Sequence, residues 1–186
     1  AGATSKKKKY GIIAAAVVIV AGLVGASIFT TTNDKQISLS YVEWDTEVAS
    51  THVVAEVLKD MGYDVKTTPL DNAIMWESVA KGETDAMVGA WLPGTHAEQY
   101  KQYKDKLDDL GENLKGAKLG IVVPSYMDVD SIEDLSDQAG KKITGIEPGA
   151  GVVGAAEKTK EAYPNLKDWS VETSSSGAMT VALGQA

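Results

Sequence analysis

Read for its apolar positions, the chain is a long uncharged run followed by short segments of changing period. Gly11 to Phe29 is 19 residues without a charge and rich in Ala, Val and Ile, and about 20 apolar residues suffice to cross a bilayer. Beyond it, Ile37-Ser38-Leu39-Ser40-Tyr41-Val42 alternates and then turns apolar, as a strand does. Asp45 or Thr46 can cap the helix that follows. Its Val54, Leu58 and Met61 are spaced four and three apart on one face, and Gly62 closes it. Tyr63 to Thr68 is a second strand, alternating at Tyr63, Val65 and Thr67. Asp71 then caps a helix carrying Ile74, Met75 and Val79, ended by Gly82.

Ala86-Met87-Val88-Gly89-Ala90 is a short apolar run bounded by Gly82 and Pro93, which predicts a buried third strand. Pro93 and Gly94 stop it. Thr95-His96-Ala97-Glu98 has capping-box spacing, so a helix is expected from Thr95 with His96 in its first turn and Tyr100 and Tyr103 on its inner face. From Leu110 the character changes. Gly111, Gly116 and Gly120 lead into Leu119 to Pro124, expected to be a strand crossing into a second lobe. Ser131 and Asp134 frame a short helix, Ile143 to Ile146 is a strand, and Glu147-Pro148-Gly149-Ala150-Gly151 precedes a helix from Val152. Trp169 to Thr173 is a last strand, and a helix begins at Ala178 after the serines 174–176. Strands alternating with helices predict an α/β fold with largely parallel sheets. The expected division is 1–35 as a lysine-rich segment and anchor, 36–115 as a first lobe and 116–186 as a second. The second lobe is short of strands at Ala186, which predicts that the chain is a piece of a longer one.

Charge sharpens this picture. The net charge is -8, yet Lys6 to Lys9 are unopposed within residues 1–33, so the remaining 14 lysines face all 26 acids. An acidic body without a single arginine argues against a nucleic-acid partner. Lysines ahead of an apolar run place that end in the cytoplasm and the body outside it. An uncleaved membrane anchor is expected, because the run exceeds the ~7–15 residues of a signal core; cleavage after Val24-Gly25-Ala26 is the alternative. Zero cysteines exclude disulfides, thiolate catalysis and thiolate metal sites. With only His52 and His96, no multi-histidine metal centre is expected, and no cofactor is called for.

Three places share one design of strand, turn and helix start: Trp44 to Thr46, Trp91 to His96, and Gly149 to Val152. Helix starts offer backbone N–H groups and a positive dipole end to an anion such as a carboxylate. Tryptophan faces attract cations that cannot hydrogen-bond. Together they suit a small zwitterion, and no nucleophile paired with a base accompanies them. Gly149 to Gly154 also fits G-x-G-x-x-G, a weak dinucleotide signal whose turn Pro148 stiffens. Trp76, Trp169 and His52 read as core or surface residues, and the serine run as a loop and helix cap.

Four stretches then carry a resemblance: Tyr41-Val42-Glu43-Trp44-Asp45, Ala90-Trp91-Leu92-Pro93-Gly94-Thr95-His96, Val123-Pro124-Ser125-Tyr126-Met127 and Gly145-Ile146-Glu147-Pro148-Gly149-Ala150-Gly151. In this order they resemble the glycine betaine-binding domain of osmoregulatory ABC importers of the OpuA type, over about residues 36–186. The resemblance implies a two-lobed fold like the type II periplasmic binding proteins, and a trimethylammonium group caged by tryptophans, Trp44 and Trp91 among them. It implies that His96 and the amides near Gly151 and Val152 hold the carboxylate, with a third tryptophan beyond Ala186. The lysine-flanked segment resembles members fused to their permease, which makes that permease and its ATPase the expected partners. A sensor ectodomain for the same ligand, or a nucleotide-dependent enzyme domain, are the competing classes.

Overall fold

The computed structural model describes residues 35–186. These form two compact units: residues up to Ala90 with Glu98–Lys115, and Trp91–Ala97 with Gly116–Ala186. The lysine run and the anchor expected at Gly11 to Phe29 lie outside the described residues. Among the described residues, no helix is long and apolar enough to cross a membrane.

The first unit opens with a strand–helix–strand element. β1 (Gln36–Tyr41) pairs in parallel with β2 (Asp64–Pro69), Gln36 opposite Asp64 and Tyr41 opposite Pro69. The period-two pattern of β1 sends Ile37 and Leu39 into a core with Ala55 and Leu58 of the connecting helix α1 (Asp45–Asp60). The N-cap of α1 is Trp44 rather than Asp45 or Thr46, and the acids Asp45 and Glu47 occupy its first turn, where the helix dipole favours them. Of its expected inner face, Leu58 is in the core and Val54 packs against it, while Met61 is 44% exposed. Glu47, Thr51 and Ala55 also turn inward. Two of these are polar side chains, which apolar spacing alone does not reveal.

Helix α2 (Asn72–Lys81) starts at Asp71 and stops at Gly82, whose φ of +69° is the left-handed turn glycine provides. Met75 and Trp76 are its buried side chains, with relative exposures of 0% and 1%, whereas Ile74, expected inside, is 49% exposed. The third strand does not form. Ala86 makes one parallel bridge to Leu39, with Ser40 N–H donating to the Ala86 carbonyl at 3.0 Å. Pairing stops there because the next groups are held by side chains: Asn113 Nδ2 donates to the Val88 carbonyl at 3.1 Å, and Glu47 packs over Gly89. Helix α3 begins at Ala97 (Ala97–Tyr103), not at Thr95, and Tyr100 and Tyr103 are half-buried.

In the second unit β3 (Lys142–Thr144) and β4 (Ser170–Glu172) pair in parallel, with helix α4 (Gly151–Ala162) between them. Helix α5 (Ser176–Gln185) follows, capped by the Ser175 side chain, which accepts from the Ala178 N–H. That is the cap the serine run predicts. The core is Leu135, Leu166 and Trp169, flanked by Ile121, Met127, Ile132 and Ile143. Trp169 Nε1 donates to the Ser136 carbonyl at 3.3 Å, which confirms it as a core residue. Leu119 to Pro124 is not a strand. Ile121 joins the core while Val122 is 77% exposed, and the segment carries a left-handed Gly116 ahead of it and a donorless proline at its end. The capping box at Ser131 is present: Asp134 Oδ2 accepts from the Ser131 N–H at 2.9 Å and the Ser131 hydroxyl at 3.0 Å. Its carboxyl is held below its ordinary value by the Asp130 amide first, then by Ser131.

Truncating the largest fully buried side chain, Trp76, removes packing that cannot collapse. Trp76→Ala is expected to cost about 3–5 kcal/mol, read as a lowered midpoint in urea denaturation at unchanged slope.

Candidate ligand-binding site

The second unit gathers most of the residues singled out by sequence. Trp91 to His96 is a tight turn, its Leu92–Pro93 peptide cis, closed by two bonds between its ends. The His96 N–H donates to the Trp91 carbonyl at 2.9 Å, and the Trp91 N–H donates to His96 Nδ1 at 3.0 Å. These bonds, with Ala97 N–H donating to the Gly94 carbonyl at 3.2 Å, take up the backbone that a helix from Thr95 would need. His96 therefore precedes the first turn of α3 instead of lying in it. Its side chain has a relative exposure of 0%. A backbone N–H only donates, so Nδ1 is an acceptor and the ring proton sits on Nε2. The turn thus fixes His96 as the Nε2–H tautomer, and Trp91 at its start is half-buried.

The start of α4 lies against this turn. A Cβ built on Gly151 would stand 2.4 Å from the Thr95 carbonyl oxygen and 2.5 Å from its Cγ2. Backbone cannot retreat as a side chain tip can, so only glycine fits. Gly149 and Gly151 each have a structural reason to be glycine. Gly149 has a φ of +86°, and Gly151 is where two backbones meet. Ala150, buried at 3%, is the N-cap, and its carbonyl accepts from Val153 and Gly154 at 3.1 and 3.3 Å. The amides of Gly151 and Val152 come before these, among the first-turn N–H groups that no helical carbonyl can reach. With His96 one residue from Thr95, the second unit brings together an imidazole donor, two helix-start amides and the positive end of a 12-residue helix. That combination suits a carboxylate.

Family membership can now be decided. The model for the substrate binding domain of the ABC-type glycine betaine transport system matches residues 35–186. The chain belongs to this family. Among solved structures it is similar to lactococcal OpuAC in its closed-liganded conformation complexed with glycine betaine, at 61% identity and a TM-score of 0.80, over 82% of this chain and 60% of that one. It is also similar to the glycine betaine/L-proline-binding protein ProX of Borrelia burgdorferi, at 33% identity and a TM-score of 0.78, over 81% of this chain and 58% of that one. The glycine betaine/carnitine transport binding protein GbuC of Listeria monocytogenes is 54% identical over 101 residues, 54% of this chain and 34% of that protein. The chain therefore spans about a third of that curated relative. The α/β fold expected from the alternating elements is the fold of this family, and the resemblance carried by the four sequence stretches is borne out.

Trp44 belongs to the first unit. It is half-buried at the N-cap of α1, with an extended φ of -90° and ψ of 142°, and its carbonyl accepts from the Val48 N–H at 2.9 Å. Of the five candidates, the structure joins Trp91 and His96 directly, and Gly151 and Val152 through Thr95. The packing of Thr95 on Gly151 and of Glu47 on Gly89 was missed. Glu47 carried one signal, its place four residues before Thr51 and eight before Ala55 on a single helix face.

Gly151→Ala should force the α4 start away from Thr95 and destabilise the protein by about 1–3 kcal/mol. Gly154→Ala, where a Cβ meets nothing within 4 Å, should be neutral or mildly stabilising. Paired urea titrations check this contrast.

Proposed function

We propose that this substrate-binding domain takes glycine betaine or a closely related quaternary ammonium zwitterion, with carnitine and choline as weaker relatives. The Trp91 and Trp44 indoles face the methylated ammonium. The His96 Nε2–H and the amides of Gly151 and Val152 hold the carboxylate. The observation that carries the reading is the buried His96, fixed by the Trp91 N–H as an Nε2 donor one residue from the Thr95 surface on which α4 begins. The names of the relatives support the ligand class. The domain hands its ligand to an ABC permease powered by a separate ATPase. The unopposed lysines Lys6 to Lys9 and the apolar run after them support a position on the outer side of the cell membrane, with that segment as the anchor. The reading leaves no part for a catalytic group or a cofactor.

The charge and solvation of the ligand then set the selectivity. A bare ammonium loses strong hydration and finds no acceptor on an indole face, whereas a trimethylammonium is weakly hydrated and loses little. Affinity is expected to rise from glycine through dimethylglycine to glycine betaine. Choline lacks the carboxylate and leaves buried donors without their anion, at a cost of about 1–3 kcal/mol. Trp91→Ala should weaken glycine betaine by about 2 kcal/mol or roughly 30-fold, while His96→Ala should narrow the gap between glycine betaine and choline and leave the methylation order intact. Tryptophan-fluorescence titration of the full-length protein tests all of these. Tight binding of glycine, or choline equal to glycine betaine, contradicts the proposal.

A further inference from the structure

The chain leaves the first unit between Ala90 and Trp91, and the backbone approaching that point is held by side chains rather than by a sheet. Past the single bridge at Ala86, Asn113 Nδ2 holds the Val88 carbonyl at 3.1 Å. Glu47 covers the next residue. A Cβ on Gly89 would stand 2.0 Å from Glu47 Oε2 and 2.7 Å from its Cδ. Glu47 is 4% exposed and, among the described residues, is the one acid so buried. It lies in the first turn of α1, three residues after Trp44. Burying a carboxylate is costly unless polar groups meet its charge, so a core would not hold one there for packing alone. The positive dipole end at the start of α1 supplies part of that stabilisation.

We propose that Glu47 is a positioning residue for ligand recognition. By packing on Gly89 it holds the start of α1, where Trp44 sits, against the end of the apolar run Ala86 to Ala90, and so fixes how the Trp44 indole is presented. This rests on the reading of Trp44 as an aromatic face for the ligand. The absence of a side chain at Gly89 is required by this contact, and the positive end of α1 favours a carboxylate over a neutral group of the same volume. Glutamine keeps the shape but replaces one acceptor oxygen by a donor.

The test uses the full-length protein, with glycine betaine titrations read by tryptophan fluorescence, near-UV circular dichroism of the tryptophan bands, and thermal melting. Gly89→Ala collides first with the movable end of the Glu47 side chain, so the fold is expected to survive while affinity falls about tenfold and the tryptophan bands change. Glu47→Gln should lose a similar factor. Combining Gly89→Ala with Glu47→Asp, whose shorter side chain makes room for the added methyl, should recover most of the affinity and the original bands. Glu56→Gln, an exposed acid on the same helix paired with Lys59, should bind as the unmodified protein does. Unchanged affinity and bands in Gly89→Ala and Glu47→Gln would overturn the proposal, as would lowered melting with affinity intact, or a double variant no better than Gly89→Ala. If Trp91→Ala binds as tightly as the unmodified protein, the functional reading fails instead. The tryptophan bands then still report whether Glu47 orients the Trp44 indole.

Discussion

The Trp91 N–H donates to His96 Nδ1 at 3.0 Å while the His96 N–H donates to the Trp91 carbonyl at 2.9 Å, so the turn between them is closed at both ends by its own residues. Neither a ladder nor a helix supplies those bonds. The consequences run outward from this closure. The imidazole is buried in a single tautomer, and Thr95 is held as a fixed piece of backbone. On that backbone Gly151 sits with no space for even a methyl group, which places the first amides of α4 relative to the ring. A carboxylate site needs donors whose orientation does not have to be organised when the ligand arrives. In the proposed site the orientation is built by short-range hydrogen bonds and one close backbone approach.

The hydrophobic clusters stabilise the units, and the polar contacts give them their particular shape. In the first unit, Ile37, Leu39, Ala55 and Leu58 supply the apolar burial. Beside them runs a chain of buried hydroxyls, Ser40 to Thr84 at 3.1 Å and Thr84 to Ser78 at 3.1 Å, which joins β1 to the segment after α2. Asp85 adds bonds from the Ser38 amide and hydroxyl, both at 2.8 Å. Buried polar networks of this kind contribute modest net stability and strong specification, since any other arrangement leaves a group unpaired. They carry the chain past the point where the sheet ends.

Much of this was legible in the sequence, and the failures have a common cause. Asp71 and Gly82 bracket α2, Ser131 and Asp134 form their box, and the period-two run at Ile37 gives β1, because each signal is local and the chemistry that makes it is local too. Ala86 to Ala90 and Leu119 to Pro124 were misread as strands. An apolar run says that residues seek burial, while a strand also needs a partner ladder, and at the first of these Asn113 bonds the Val88 carbonyl instead, with Glu47 packed on Gly89. The inner face of α1 was read in part, with Val54 and Leu58 in place, but Glu47 and Thr51 are buried polar residues, which apolar spacing cannot reveal. At the site, residue type was enough to nominate Trp91, His96 and Gly151. It could not show why Gly151 is glycine, since the answer is the Thr95 carbonyl, distant in sequence.

The claim on which the account turns is that His96 and the start of α4 act as one anion-binding group. Nitrogen-15 NMR of the full-length protein during a glycine betaine titration addresses it directly. The account predicts that the free protein shows His96 with its proton on Nε2, and that His96 Nε2 and the amides of Gly151 and Val152 shift together along one saturation curve. Saturable binding that leaves these three resonances unmoved, or a His96 ring protonated on Nδ1, would contradict it.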